Sequence, residues 1–331
     1  MTRPDVHPTR RPFLRTLCAT ALALAAGSAL AQTFPERPLK LVVGAPAGGS
    51  SDMVARALAE GLAQQLGQPV IVDNKPGAGG LIGLQELLKS PRDGHTLLVG
   101  PNGLVSEVPH IMKLPLDPLK ELRPLAELAR TGLLLVGTPQ LPAKDVKGVV
   151  AHIKAHPGKI SYASYSTGSL SHTLGLEFNT LMGTDLLHVG YRGSPPALLD
   201  VMSGAVPLMF DGPATSIPLI KGGKLKAFAT TAPQRLGALP EVPTFAELGY
   251  KDLTEVAWMG LWTPPDVPAA VQTRLREATL KVLQLPKLRE QFTSLGMDPA
   301  TGAAPDELLR GLKAASDKQA ATLKSIGYKP E

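Results

Sequence analysis

Cysteine is almost missing from this chain: among 331 residues there is only Cys18. One thiol cannot build a disulfide framework or a Cys-based metal site. Aromatic residues are scarce, at 4%, which argues against the stacking platforms that hold single-stranded nucleic acid. Charged residues make up 19% and hydrophobic ones 44%, an ordinary globular balance that implies no long disordered tail. A phosphate-binding P-loop is missing too, because Gly158-Lys159 is followed by Ile160 and lacks the earlier glycine. His152 and His156 share a helix face, but no glutamate completes the metalloprotease spacing, so they read as surface residues. No metal or cofactor is expected.

The N-terminus reads as an export signal. Arg10-Arg11 and Arg15 precede an apolar run from Thr16 to Leu30, and Ala29-Leu30-Ala31 offers small residues for cleavage before Gln32. The run is short and weakly apolar for a membrane span. Residues 1–31 carry four arginines against one acid, so their removal lowers the net charge by three, from +6 to +3. The basicity is therefore partly that of the signal, and no nucleic-acid partner is expected. Cys18 leaves with the signal, which rules out thiol catalysis in the mature chain.

Two glycine- and serine-rich turns stand out, each between an apolar strand and a helix. The first is Gly44-Ala45-Pro46-Ala47-Gly48-Gly49-Ser50-Ser51-Asp52 and the second is Ser164-Tyr165-Ser166-Thr167-Gly168-Ser169. A helix start presents unpaired N–H groups and the positive end of the helix dipole, which suits an anion. Two such ends facing each other would grip a small carboxylate, which only accepts hydrogen bonds when ionised. Candidate contacts are Gly48, Gly49, Ser50 and Ser51 on one side and Ser164, Tyr165, Ser166, Thr167, Gly168 and Ser169 on the other. Asp52 reads first as the helix N-cap and second as a contact to a ligand hydroxyl or amine. Asn102 and Tyr191 are second-rank contacts, and Arg192 is either a charge partner or a solvated cation.

Along the chain, strands are predicted at Leu39–Val43, 70–72, 95–99, 133–136, 160–163, 185–189, 206–210, 225–230 and 256–261. Helices are predicted over 52–66, 81–89, 145–156, 169–182 and 196–203, with a mostly helical tail from 268 to 326. This alternation implies an α/β protein with parallel sheets and ligands at strand C-termini. No long-period repeat is evident.

In this order, several segments resemble the solute-binding proteins of tripartite tricarboxylate transporters, the Bug family. They include Phe34-Pro35-Glu36-Arg37-Pro38, Gly48-Gly49-Ser50-Ser51-Asp52, Val72-Asp73-Asn74-Lys75-Pro76-Gly77-Ala78-Gly79-Gly80, Asp93-Gly94-His95, His188-Val189-Gly190-Tyr191-Arg192-Gly193 and Ala257-Trp258-Met259-Gly260. The resemblance implies a type II periplasmic-binding-protein fold, two α/β lobes with a ligand cleft between them. It implies a monomer that closes on a small organic carboxylate (a di- or tricarboxylate, an acidic amino acid or an aromatic acid) and delivers it to integral membrane transporter subunits. Mapped onto the chain, domain 1 combines 33–136 with 258–331, domain 2 is 137–257, and the crossings fall near 133–138 and 258–263. Where Ala45 stands the family often has an aromatic, and where Tyr165 and Ser166 stand it usually has a small residue and a glycine. Bulk lost at Ala45 is expected back at Tyr165.

Two other readings compete. A signalling receptor would use the same clamp against a sensor protein. A serine hydrolase would use Ser166 with His172 or His188 and Asp200 or Asp211, although the segment lacks the first glycine of the nucleophile elbow.

Overall fold

The computed structural model describes residues 34–325, 327 and 328. The expected export signal and Cys18 lie outside them. Of the two contact units, Met1–Glu36 contributes only the described bend Phe34–Glu36, and Arg37–Glu331 holds both sheets. Among the described residues no helix is long and apolar enough to cross a membrane.

The first half of the chain runs β1 (Leu39–Val43), α1 (Ser50–Leu66), β2 (Val70–Asn74), α2 (Leu81–Lys89) and β3 (Thr96–Pro101). Short helices α3 (Gly103–Ser106), α4 (Val108–Ile111) and α5 (Pro118–Glu121) lead to β4 (Arg123–Thr131). The chain then crosses to β5 (Leu134–Gly137), α6 (Val146–Ala155), β6 (Ser161–Ser164), α7 (Leu170–Met182), β7 (Leu187–Gly190), α8 (Ser194–Ser203), β8 (Leu208–Asp211), α9 (Pro213–Lys221) and β9 (Lys226–Thr230). It returns through β10 (Ala257–Thr263) and ends in α10 (Ala269–Leu283), α11 (Pro286–Ser294), β11 (Asp298–Pro299) and α12 (Pro305–Ser325).

The strands form two sheets, ordered β11-β4-β10-β3-β1-β2 and β7-β6-β8-β5-β9. Each repeats one plan. β1 is flanked in parallel by β2 and β3, as β6 is by β7 and β8. Beyond that trio comes an antiparallel strand, β10 or β5, that the chain supplies after crossing between the lobes. The boundary expected at 136/137 falls inside β5. Both partners of β5 lie in the second sheet, so Leu134–Val136 belong to that lobe rather than the first.

The second lobe shows why β5 sits where it does. Successive side chains of a strand point to opposite faces. Leu133 and Leu135 enter one core with Tyr162, Phe178 and Phe210, while Leu134 and Val136 enter the other with Leu198, Val201 and Met209. In the first lobe, Val42, Leu84, Leu98 and Trp262 share a core, and the Trp262 indole N–H donates to the Gly100 carbonyl at 3.0 Å. In open α/β sheets, ligands bind at the C-terminal ends of strands where the connections diverge to either side. Here those strands are β1 and β6, and both glycine-serine turns follow them.

Candidate functional site

The two turns are built alike. The Gly49 N–H donates to the Pro46 carbonyl at 3.1 Å, and the Ser169 N–H donates to the Ser166 carbonyl at 3.2 Å. The third residue of each turn is a glycine with positive φ, +77° at Gly48 and +82° at Gly168, as a type II turn requires. Gly49 and Ser169 are the N-caps of α1 and α7, both in extended conformation. The free donors of each helix start therefore point past the turn.

Each turn is held from behind by a side chain four residues beyond its glycine. Asp52 accepts from the Gly48 N–H at 2.9 Å, from Arg56 Nε at 3.0 Å and from Asn74 Nδ2 at 3.0 Å. Asn74, at the end of β2, also donates to the Ala45 carbonyl at 3.0 Å. Burial alone would raise the Asp52 carboxyl, but Arg56, the Gly48 amide and Asn74 outweigh it and hold it below the ordinary carboxylate range. In the second turn, the Gly168 N–H donates to His172 Nδ1 at 3.2 Å, so that nitrogen carries no proton. His172 stacks on His188 at 3.8 Å, and His188 Nε2 lies 2.7 Å from Ser164 Oγ. Burial pushes His172 down to about 3, helped by His188, and pushes His188 down to about 4.

A cavity of about 120 Å³ lies between the lobes, lined by Gly49, Ser50 and Ser51 from one and by Tyr165, Ser166 and Ser169 from the other. The walls are otherwise largely apolar, with Leu98, Leu104, Leu170 and Met259 among them, and among the described residues the charged types on them are Glu107 and Arg192. The lobes meet along its wall: a Cβ placed on Gly212 would lie 2.8 Å from Ser50 Oγ.

A model of the tripartite tricarboxylate transporter family receptor matches residues 54–328. The chain belongs to that receptor family. BugT of Bordetella pertussis (strain Tohama I) is 33% identical over 279 residues, 84% of this chain and 85% of BugT. Two solved structures are similar throughout. MatC of Rhodopseudomonas palustris, with bound malate, has a TM-score of 0.83 at 30% identity and covers 88% of this chain and 100% of its own. An R. palustris protein with adipate has a TM-score of 0.86 at 28% identity, covering 90% and 100%.

In this member of the tricarboxylate receptor family, several expected contacts sit elsewhere. Gly48, Asp52, Ser164, Thr167 and Gly168 do not line the cavity. Asp52 is not the N-cap either, since α1 begins at Ser50; it braces the turn from inside the helix. Asn102 reaches the cavity, but its Oδ1 accepts from the Trp258 N–H at 2.9 Å and ties β3 to β10. The Tyr191 ring also lines the cavity, while its hydroxyl donates to Asp200 Oδ2 at 2.5 Å. Burial and Asp200 together raise that phenol to about 12. Ala45 and Tyr165 both border the cavity.

The hydrolase arrangement is not assembled in the receptor. Ser166 Oγ donates to the Thr167 carbonyl at 3.1 Å. Asp211 is buried and accepts from Ser194, Thr215 and Ser216, while Asp200 accepts from Tyr191. The hydroxyls act against burial at Asp211, which nonetheless leaves its carboxyl raised. These contacts fix the starts of α8 and α9 at the cavity wall.

Glu107, between α3 and α4, was not foreseen. It is 7% exposed, its Oε2 has no hydrogen-bond partner among the described residues, and it lines the cavity. Burial pushes its carboxyl up to about 8, with Glu255 and Glu177 adding to the rise.

Proposed function

We propose that this chain is a periplasmic receptor that captures a small organic di- or tricarboxylate by closing two lobes around it. It then delivers the solute to the integral membrane subunits of a tripartite tricarboxylate transporter, acting as a monomer. The observation that carries this reading is the pair of matching turn-and-helix starts, one after each switch-point strand, on opposite walls of a single cavity. Family membership and the malate and adipate held by its structural relatives point to the same class of solute.

The physical sequence is short. A carboxylate docks on the amides and hydroxyls of Ser50 and Ser51, in a turn fixed in place by Asp52 and Asn74. Closure brings up the Ser166–Ser169 turn, and the solute stabilises the closed form by its greater affinity for it. The membrane subunits then recognise the closed shape. Export through the N-terminal signal, cleaved after Ala31, places the receptor where this can happen.

A thermal-shift screen of carboxylates, followed by calorimetry, tests the reading. A true solute at a thousandfold excess over its dissociation constant should add about 4 kcal/mol of apparent stability. No shift from any organic acid would overturn it.

A further inference from the structure

We propose that Glu107 is a specificity-determining residue of the cleft: its free Oε2 pairs with the second polar group of the solute, so that the site selects a bifunctional acid over a simple monocarboxylate. This rests on the carboxylate reading above. Two independent observations carry it. Oε2 is buried without a partner, although buried polar atoms almost always have one. Glu107 also lines the same cavity that the two turns border.

The surroundings decide which way the hydrogen bond runs. Tyr165 of the second turn is close enough for Glu107 to raise its phenol. Glu177 of α7 and Glu255 before β10 both disfavour a negative charge at Glu107. Lys318 of α12 is committed to Glu255. His110 of α4 is bonded to Ser316 of α12 at 2.7 Å. Arg192 is exposed and is the one cation among the described cavity residues. With burial acting in the same sense, the carboxyl keeps its proton up to a pH of about 8. At neutral pH Glu107 is therefore a donor, and a solute carboxylate or hydroxyl oxygen is its natural acceptor. Once ionised, it would repel a second carboxylate. The site thereby favours a dianion below that pH and rejects it above.

Calorimetry on the purified protein tests this with straight-chain dicarboxylates from succinate to adipate, malate, and the monocarboxylates of matching length. At pH 6.5 the best dicarboxylate should bind at least about tenfold more tightly than its monocarboxylate, the yield of one well-made bond to a charged acceptor. Above pH 8 its affinity should fall about tenfold per pH unit, as one proton must be restored on binding. Glu107→Gln keeps a donor of the same shape and should hold the affinity within about threefold while flattening the pH profile. Glu107→Ala should bring the dicarboxylate down to the level of the monocarboxylate.

An unchanged dicarboxylate preference in Glu107→Ala, or a wild-type affinity flat to pH 9.5, would sink the role of Glu107 alone. An α-amino acid that gains affinity as the pH rises would also overturn it, by showing a carboxylate that holds an ammonium. Wild-type protein that binds no carboxylate at any pH would sink the carboxylate reading itself.

Discussion

Asp52 accepts from Gly48, Arg56 and Asn74 from a buried position, so Asp52→Ala strips three donors of their partner. The expected loss is about 1–3 kcal/mol, the usual cost of leaving buried donors unsatisfied, discounted because Arg56 is largely exposed and can turn to water. Denaturant unfolding measures it, and solute affinity should drop as well because the turn loses its brace. A variant as stable as wild type would show that the brace is decorative. At this scale the sequence was legible for glycines and serines and misleading for carboxylates. Asp52 sits where a cap is common, and only the register of α1 moves the cap to Gly49. Glu107 is a lone acid in Val105-Ser106-Glu107-Val108, and nothing local separates it from a surface glutamate. Its role comes from which cavity the short helices α3 and α4 adjoin, which is a tertiary fact.

The turn elements themselves were foreseen, because glycine is the residue that tolerates positive φ. Gly48→Ala and Gly168→Ala should each cost about 1 kcal/mol from backbone strain. A Cβ at Gly48 would meet no atom of the described residues within 4 Å, so that cost is conformational. Equal destabilisation of both variants in urea melts is the expected result, and a Gly48→Ala protein as stable as wild type would contradict the turn assignment. β4 went unseen because Arg123–Thr131 is buried on both faces and carries Glu127 and Arg130, which break period-2 alternation. The cost of that acid is relieved locally, since Arg130 donates to both Glu127 oxygens at 2.6 Å. Pro218 hid α9, although the helix runs through it. The doubled strand plan was also invisible by eye, because Asp52 and His172 hold equivalent turns with unlike chemistry.

For the whole molecule, two sets of buried groups bracket the pH range of stability. His172 and His188 are depressed from 6.5 to about 3 and about 4, so the stability they support is present above pH 6.5 and is lost as the pH falls through those values. Glu107 and Glu177 are raised from 4.5 to about 8 and about 7, so their contribution is full below pH 4.5 and is lost as the pH rises through 7 and 8. The melting temperature should therefore peak in mildly acidic buffer, and Glu107→Gln should lift the alkaline limb. A flat profile from pH 6.5 to 8.5, unaltered by that substitution, would contradict the burial of Glu107. Closure itself is open to test where the lobes meet. Gly212 has an ordinary φ of −68°, so Gly212→Val adds bulk with little backbone strain. Its side chain meets Ser50 of the opposite lobe. The variant should weaken solute binding by about tenfold or more while unfolding near the wild-type midpoint, as expected when only the shut state is penalised.

The approach of Gly212 to Ser50 has a consequence for the kind of molecule this protein can choose. Jaws that already come this near leave little slack when shut, so length counts in a guest as well as chemistry. A guest one bond too long would prop the walls apart, and one too short would leave a turn facing nothing, even if its functional groups were correct.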